Sequence, residues 1–158
     1  MGVSSLSPEV FKDSGHVIIP EYLADLRDAL PIEGWEVCRH KNGGRLVWGT
    51  GNKIDLYLDY IQIIGGFVDA KKLSHRLSEI AHNANMLDYL LKYSERISDE
   101  WKGKRVAFWG TKYRRPRGPK EPYIRVLYWD PRKSCWRWEF MWLGFKVEHD
   151  CYAAVRLF

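Results

Sequence analysis

Between residues 112 and 120 the chain reads Lys112-Tyr113-Arg114-Arg115-Pro116-Arg117-Gly118-Pro119-Lys120. Five of the nine residues are cations and two are prolines, which makes a stiffened, strongly basic arm. Guanidinium groups match phosphate oxygens in a forked geometry, and a basic arm carried off a rigid scaffold fits a nucleic-acid groove. Arg125, Arg132, Lys133 and Arg137 follow in the same basic stretch. With Lys112, Tyr113, Arg114, Arg115, Arg117 and Lys120 they form the candidate nucleic-acid-binding set, whose partner would be DNA or RNA. The competing reading is a solvated loop that aids solubility. Aromatic residues interleave with these cations. Trp136, Trp138, Phe140 and Trp142 alternate with Arg137 and Glu139, so on a strand all four rings share one side. Flat rings can stack on bases. Four large rings on one side of a strand also make a core layer, and this is what we expect here. Trp109, Trp129 and Tyr113, beside the cations in sequence, are the better stacking candidates.

A second constellation is acidic. Asp55 is followed fourteen residues later by Asp69-Ala70-Lys71. Two carboxylates can hold Mg²⁺ while a lysine helps activate water. Across residues 20–85 this arrangement, with a helix and a hairpin before it and a helix after it, resembles the PD-(D/E)xK nuclease core. The resemblance implies a small Mg²⁺-dependent nuclease built on Asp55, Asp69 and Lys71. Read from the residues alone, Asp69 also fits a helix N-cap with Lys71 and Lys72 in solvent. His75, Glu79 and His82, at i, i+4 and i+7, would share one helical face and have metal-ligand side chains. They lie opposite an apolar stripe, where a solvated polar face is expected, so no metal site is assigned. Outside the nuclease alternative no cofactor is expected.

The charge of the chain is strongly uneven. Residues 1–101 carry 11 Lys/Arg against 15 Asp/Glu, whereas residues 102–137 carry 12 against only Glu121 and Asp130. A window of net +10 inside a chain of net +5 bears on partners rather than on fold. The 158 residues, 46% hydrophobic and 28% charged, can bury a sizeable core and are not the composition of a disordered chain. No apolar run reaches the length of a membrane span, and no leader pattern is apparent, so no membrane association is expected. Cys38, Cys135 and Cys151 form neither a disulfide framework nor a zinc pattern, which fits a reducing, cytoplasmic setting.

These groups need elements to position them. Pro20 to Leu30 predicts a helix. Trp35 to His40 and Arg45 to Trp48 predict strands joined at Asn42-Gly43-Gly44, and Ile54 to Ile64 predicts a long third strand ended by Gly65-Gly66. Asp69 caps a helix whose stripe runs Leu73, Leu77, Ile80, Ala84, Leu87, Leu91, with a break near 82–85. Met86, Tyr89, Tyr93 and Ile97 make a second apolar side, either buried or available to a protein partner or a second copy. Arg105 to Tyr113, Pro122 to Trp129 and Ser134 to Leu143 alternate as strands, and Tyr152 to Phe158 adds a fourth. The result is a single α+β domain, α–βββ–α–βββ(β). Its mostly antiparallel, Trp-rich C-terminal sheet packs on a central helix. A composition seam near residue 103 marks possible sub-lobes 1–102 and 103–158.

The function expected from this pattern is nucleic-acid binding without catalysis, through the basic hairpin on an aromatic-rich sheet. The nuclease is one alternative. The other is an inhibitor or adaptor of a nucleoprotein complex, as in small mobile-element accessory proteins, docking through Met86, Tyr89, Tyr93 and Ile97.

Overall fold

The structure is a computed structural model that describes residues 16–18, 32–41, 47–49 and 54–156. The helix expected over 20–30 and the turn at 42–44 lie outside the described residues. The chain forms an α+β fold around a mixed, mostly antiparallel sheet. Its strands are β2 (Glu36–His40), β4 (Asp55–Tyr57), β6 (Arg105–Arg114), β7 (Tyr123–Asp130), β8 (Cys135–Trp142) and β10 (Cys151–Val155). Their order is β4-β10-β6-β7-β8, with β2 on the far stretch of β6. Strands from both sides of residue 103 therefore share one sheet. Two small ribbons accompany it: β1 (His16–Ile18) with β3 (Val47–Gly49), and β5 (Phe67–Asp69) with β9 (Lys146–Glu148).

The three late strands form where period-two alternation places them, and β6, β7 and β8 are antiparallel neighbours. β10 enters the sheet between β4 and β6, antiparallel to the first and parallel to the second. The early strands pair differently from the expected hairpin. β2 pairs with β6, while β3 pairs with β1.

The stretch from Ile54 to Ile64 is not one strand. β4 stops at Tyr57, and α1 (Tyr60–Gly65) follows. Asp59 caps α1 through the Ile61 amide, Gln62 returns a bond to the Asp59 amide, and Gly66 ends the helix at φ 82°. This reciprocal capping box outweighs β-propensity here. Tyr60, Ile63 and Ile64 are left exposed as a result. Asp59 is buried and pairs with Arg76 at 2.6 Å. Burial alone would raise its pKa, but bonds from Arg76, the Ile61 amide and the Tyr57 hydroxyl outweigh that and hold it below the usual carboxylate range.

The expected single helix over the Leu73–Leu91 stripe is two helices on opposite faces of the sheet. α2 (Ala70–Leu77) starts at the Asp69 cap and buries Leu73 and Leu77 with Ala107, Trp109, Ile124 and Val126. α3 (Ala84–Lys92), capped by Asn83, buries Met86, Leu87, Tyr89 and Leu90 with Val106, Phe108 and Leu127. Val106 and Phe108 alternate with Ala107 and Trp109 along β6, so the two helices read its two sides. Met86 and Tyr89 are fully buried and Ile97 is 7% exposed. The partner-binding face expected at Met86, Tyr89, Tyr93 and Ile97 is thus core, because α3 lies on the sheet rather than across its edge. Trp136 and Trp138 pack against this same layer, and Phe140 against Ala84 and Tyr113. The Trp stripe therefore faces α3, not Leu73 and Leu77, and Trp142 remains 40% exposed. Among the described residues no helix is long and apolar enough to cross a membrane.

Candidate nucleic-acid interface

β6 and β7 run on past the neighbouring helices and join through residues 115–122. Gly118 N–H donates to the Arg115 carbonyl at 3.1 Å, so Pro116 and Arg117 occupy the corners of a tight turn. Pro116 presets the first corner. Arg117 takes φ 54°, a position that Gly or Asn normally fills. Arg114, Arg115, Arg117 and Lys120 are exposed. Arg115 lies over the Tyr123 ring at 5.8 Å. The hairpin and the start of β2 border a cleft of about 450 Å³, in which Glu36 is the carboxylate among the lining residues.

The other members of the expected binding set fall elsewhere. Tyr113 is fully buried, and its hydroxyl is pushed up to about 12 by burial. Arg125 is 1% exposed, its guanidinium stacked over Trp138 at 4.1 Å and paired with Asp88 of α3 at 2.9 Å. Neither meets solvent, because both point from the central strands into the layer beneath α3. Arg132, Lys133 and Arg137 sit at the opposite end of β7, about 23 Å away at the strand rise of about 3.3 Å per residue. There Asp130 accepts from the Arg132 and Lys133 amides and pairs with Arg137 at 3.1 Å. Lys102 covers the Trp129 ring at 4.0 Å, and Arg105 pairs with Glu139 at 2.9 Å. At one end of the basic window Arg105 and Arg137 are ion-paired beside exposed Arg132 and Lys133, and at the other the hairpin cations are exposed.

A second basic site adjoins the exposed end. Arg39 stands opposite Lys112 in the β2–β6 pairing, on the side of the sheet that carries α2. Across from them, α2 presents Lys71, Ser74 and His75. Lys112 Nζ donates to Ser74 Oγ. Together with Lys41, His40, Trp109 and Gly110 these residues line a cleft of about 610 Å³ with no carboxylate among its described lining residues. Lys41 Nζ donates to the Ala81 carbonyl at 3.3 Å and to that of Glu79. Burial lowers the pKa of Lys41, and Arg156 lowers it further against a smaller pull from Glu79. Burial likewise lowers that of Lys112, helped by Arg39. The sequence pattern places Lys112 on the hairpin and gives no sign of the rest. The residues come from 39–41, 71–78 and 109–112, and their only sequence signal is one cation at a time.

Asp55 and Asp69 fall on different sheets. Asp55 lies on β4 of the main sheet, whereas Asp69 ends β5 of a separate ribbon. Asp69 Oδ1 accepts from the Lys71 and Lys72 amides at 2.9 and 3.1 Å, so it serves as the helix cap. His75, Glu79 and His82 do not share a helical face, since α2 ends at Leu77 and His82 is buried. Among the described residues no three His, Cys, Asp or Glu side chains gather as metal ligands. Cys38 and Cys135 are exposed free thiols, and burial raises the Cys151 thiol to about 12. Comparison with protein-family models, curated proteins and solved structures gives no match, so the site is read from its own geometry.

Proposed function

We propose that this protein binds nucleic acid without catalysing a reaction on it, through the hairpin at 112–120. One observation carries the reading. Arg114, Arg115, Arg117 and Lys120 are all exposed at the connection between β6 and β7 of the six-stranded sheet. None of them has an ion-pair partner among the described residues, whereas at the other end of β7 Arg105 and Arg137 are paired with Glu139 and Asp130. Cations arranged this way gain most from a polyanion that releases its counterions, and contacts to phosphate carry no sequence information by themselves. The strained φ of Arg117 keeps a guanidinium where glycine would relax the turn.

The test is a salt-series titration of single- and double-stranded DNA and RNA by fluorescence anisotropy. Replacing Arg114, Arg115 and Arg117 together by Ala should weaken binding by at least about tenfold. It should also flatten the log–log salt dependence by roughly 0.7–0.9 for each phosphate that is no longer neutralised. The turn is exposed, so the melting temperature should hold. Unchanged affinity and slope would refute the hairpin as the binding element.

A further inference from the structure

We propose that the cleft between α2 and the β2–β6 pair is a pocket for a terminal phosphomonoester. Its walls carry Arg39, Lys41, Lys71, His75 and Lys112, contributed by three separate stretches of chain. Placing these like charges together costs free energy that an anion would recover. Lys112 shows this cost, being half-buried beside Arg39 with its ammonium on the Ser74 hydroxyl. A phosphomonoester carries about −1.5 to −2 at neutral pH, against one charge for an internal diester, and offers three acceptor oxygens. Several donors converging in one concavity fit the former, whereas the open hairpin fits a passing backbone. The volume of about 610 Å³ suits a nucleotide-sized group rather than a lone small ion.

Lys41 is held on the Glu79 and Ala81 carbonyls. Along β6, Lys112 and Arg114 are two residues apart and share a side, so the cations of the cleft lead on to the hairpin. A strand held by the hairpin would run its end into the pocket. This strand-end assignment rests on the nucleic-acid reading above, while the phosphate chemistry does not.

Three oligonucleotides of one sequence separate these points: 5′-phosphorylated, 3′-phosphorylated and unphosphorylated. A nucleoside monophosphate is titrated in parallel, with amide resonances as readout. We expect one phosphorylated oligonucleotide to bind on the order of tenfold tighter than the bare one, as an added charge-assisted contact would give. Arg39→Gln and Lys71→Gln should each bring that ratio toward one. The Arg114/Arg115/Arg117 triple Ala variant should weaken all three oligonucleotides and keep the ratio. The monophosphate should shift the amides of residues 71–78 and 109–112. Equal binding of the three oligonucleotides by the wild-type protein would overturn the strand-end pocket and leave the hairpin reading intact. Monophosphate shifts with no oligonucleotide binding would refute the hairpin reading and assign the pocket to a free nucleotide. No shift at these amides and no ratio would refute the pocket altogether.

Discussion

Asp88 and Arg125 join α3 to the sheet at 2.9 Å, and the two partners differ sharply in exposure, with Arg125 buried and Asp88 38% exposed. The sequence pattern groups Arg125 with the hairpin cations because charge in a basic window gives no sign of which side of a strand it is on. Alternation with Ile124 and Val126 puts Arg125 on the other side of β7, and α3 covers that side. Burial changes its role from ligand contact to structural pair. The asymmetry gives an ordered prediction. Asp88→Ala leaves a buried guanidinium over Trp138 without its carboxylate and should cost about 2–4 kcal/mol. Arg125→Met keeps the volume over Trp138 and frees Asp88 into water, and should cost less than about 1.5 kcal/mol. Chemical denaturation of the two variants checks the order. Nucleic-acid affinity should be unchanged in Arg125→Met, and a loss of affinity at intact stability would return Arg125 to the interface.

The connection between α2 and α3 passes through the sheet, and this is what the helical periodicity of Leu73–Leu91 conceals. Residues 80–83 fill a gap on one edge of β6 between β10 and β2. Ala81 bridges to Val155, His82 N–H donates to the Ala154 carbonyl at 3.0 Å, and Gly110 N–H donates to the His82 carbonyl at 2.9 Å. A heptad-like stripe records that residues are apolar but not which layer buries them, so one continuous stripe serves two opposite faces. The break near 82–85 is legible from Asn and His in an apolar run. The capping box at Asp59 and Gln62 is equally present in the sequence, but the alternation of isoleucines around it conceals it. The late strands are legible because alternation on β8 matches its burial, while β6 and β7 read as β-branched and aromatic runs buried on both sides. The basic cleft is not, since pairing of β2 with β6 across some 70 positions creates it. Gly110 is the residue that lets the crossing occur. A Cβ there would stand 2.7 Å from the His82 carbonyl oxygen and 2.8 Å from Asn83 Cα, both backbone. Gly110→Ala should therefore cost about 3 kcal/mol, the upper end of over-packing. It should also loosen the cleft wall. Amide exchange at 80–83 and 110 faster than in the wild type, with α2 protection retained, is the expected signature; wild-type exchange and stability would show that the wedge yields freely.

At the scale of the whole molecule, acid stability gathers at the same crossing. His82 is 1% exposed where β10, β6 and β2 meet, with Lys41 and Arg156 nearby. Burial lowers its pKa to about 3, and the two cations push in the same direction against a hydrogen bond with Val155. The imidazole is therefore neutral in the folded protein, whereas in the unfolded chain it titrates at about 6.5. Between those values the unfolded state binds the additional proton, so stability falls as pH falls. The contribution is complete above about pH 6.5 and declines by about 1.4 kcal/mol per unit below it. Carboxylates join the titration only at lower pH, so the range from about 6.5 to 5 belongs mainly to histidine. Chemical denaturation across that range should show the wild-type protein losing about 2 kcal/mol, and His82→Gln, which keeps a neutral polar side chain, should lose distinctly less. The difference between the two slopes isolates His82 from the other histidines. Parallel slopes would mean that His82 gains its proton without unfolding the crossing, and that the burial of this junction does not set the acid limit of the fold.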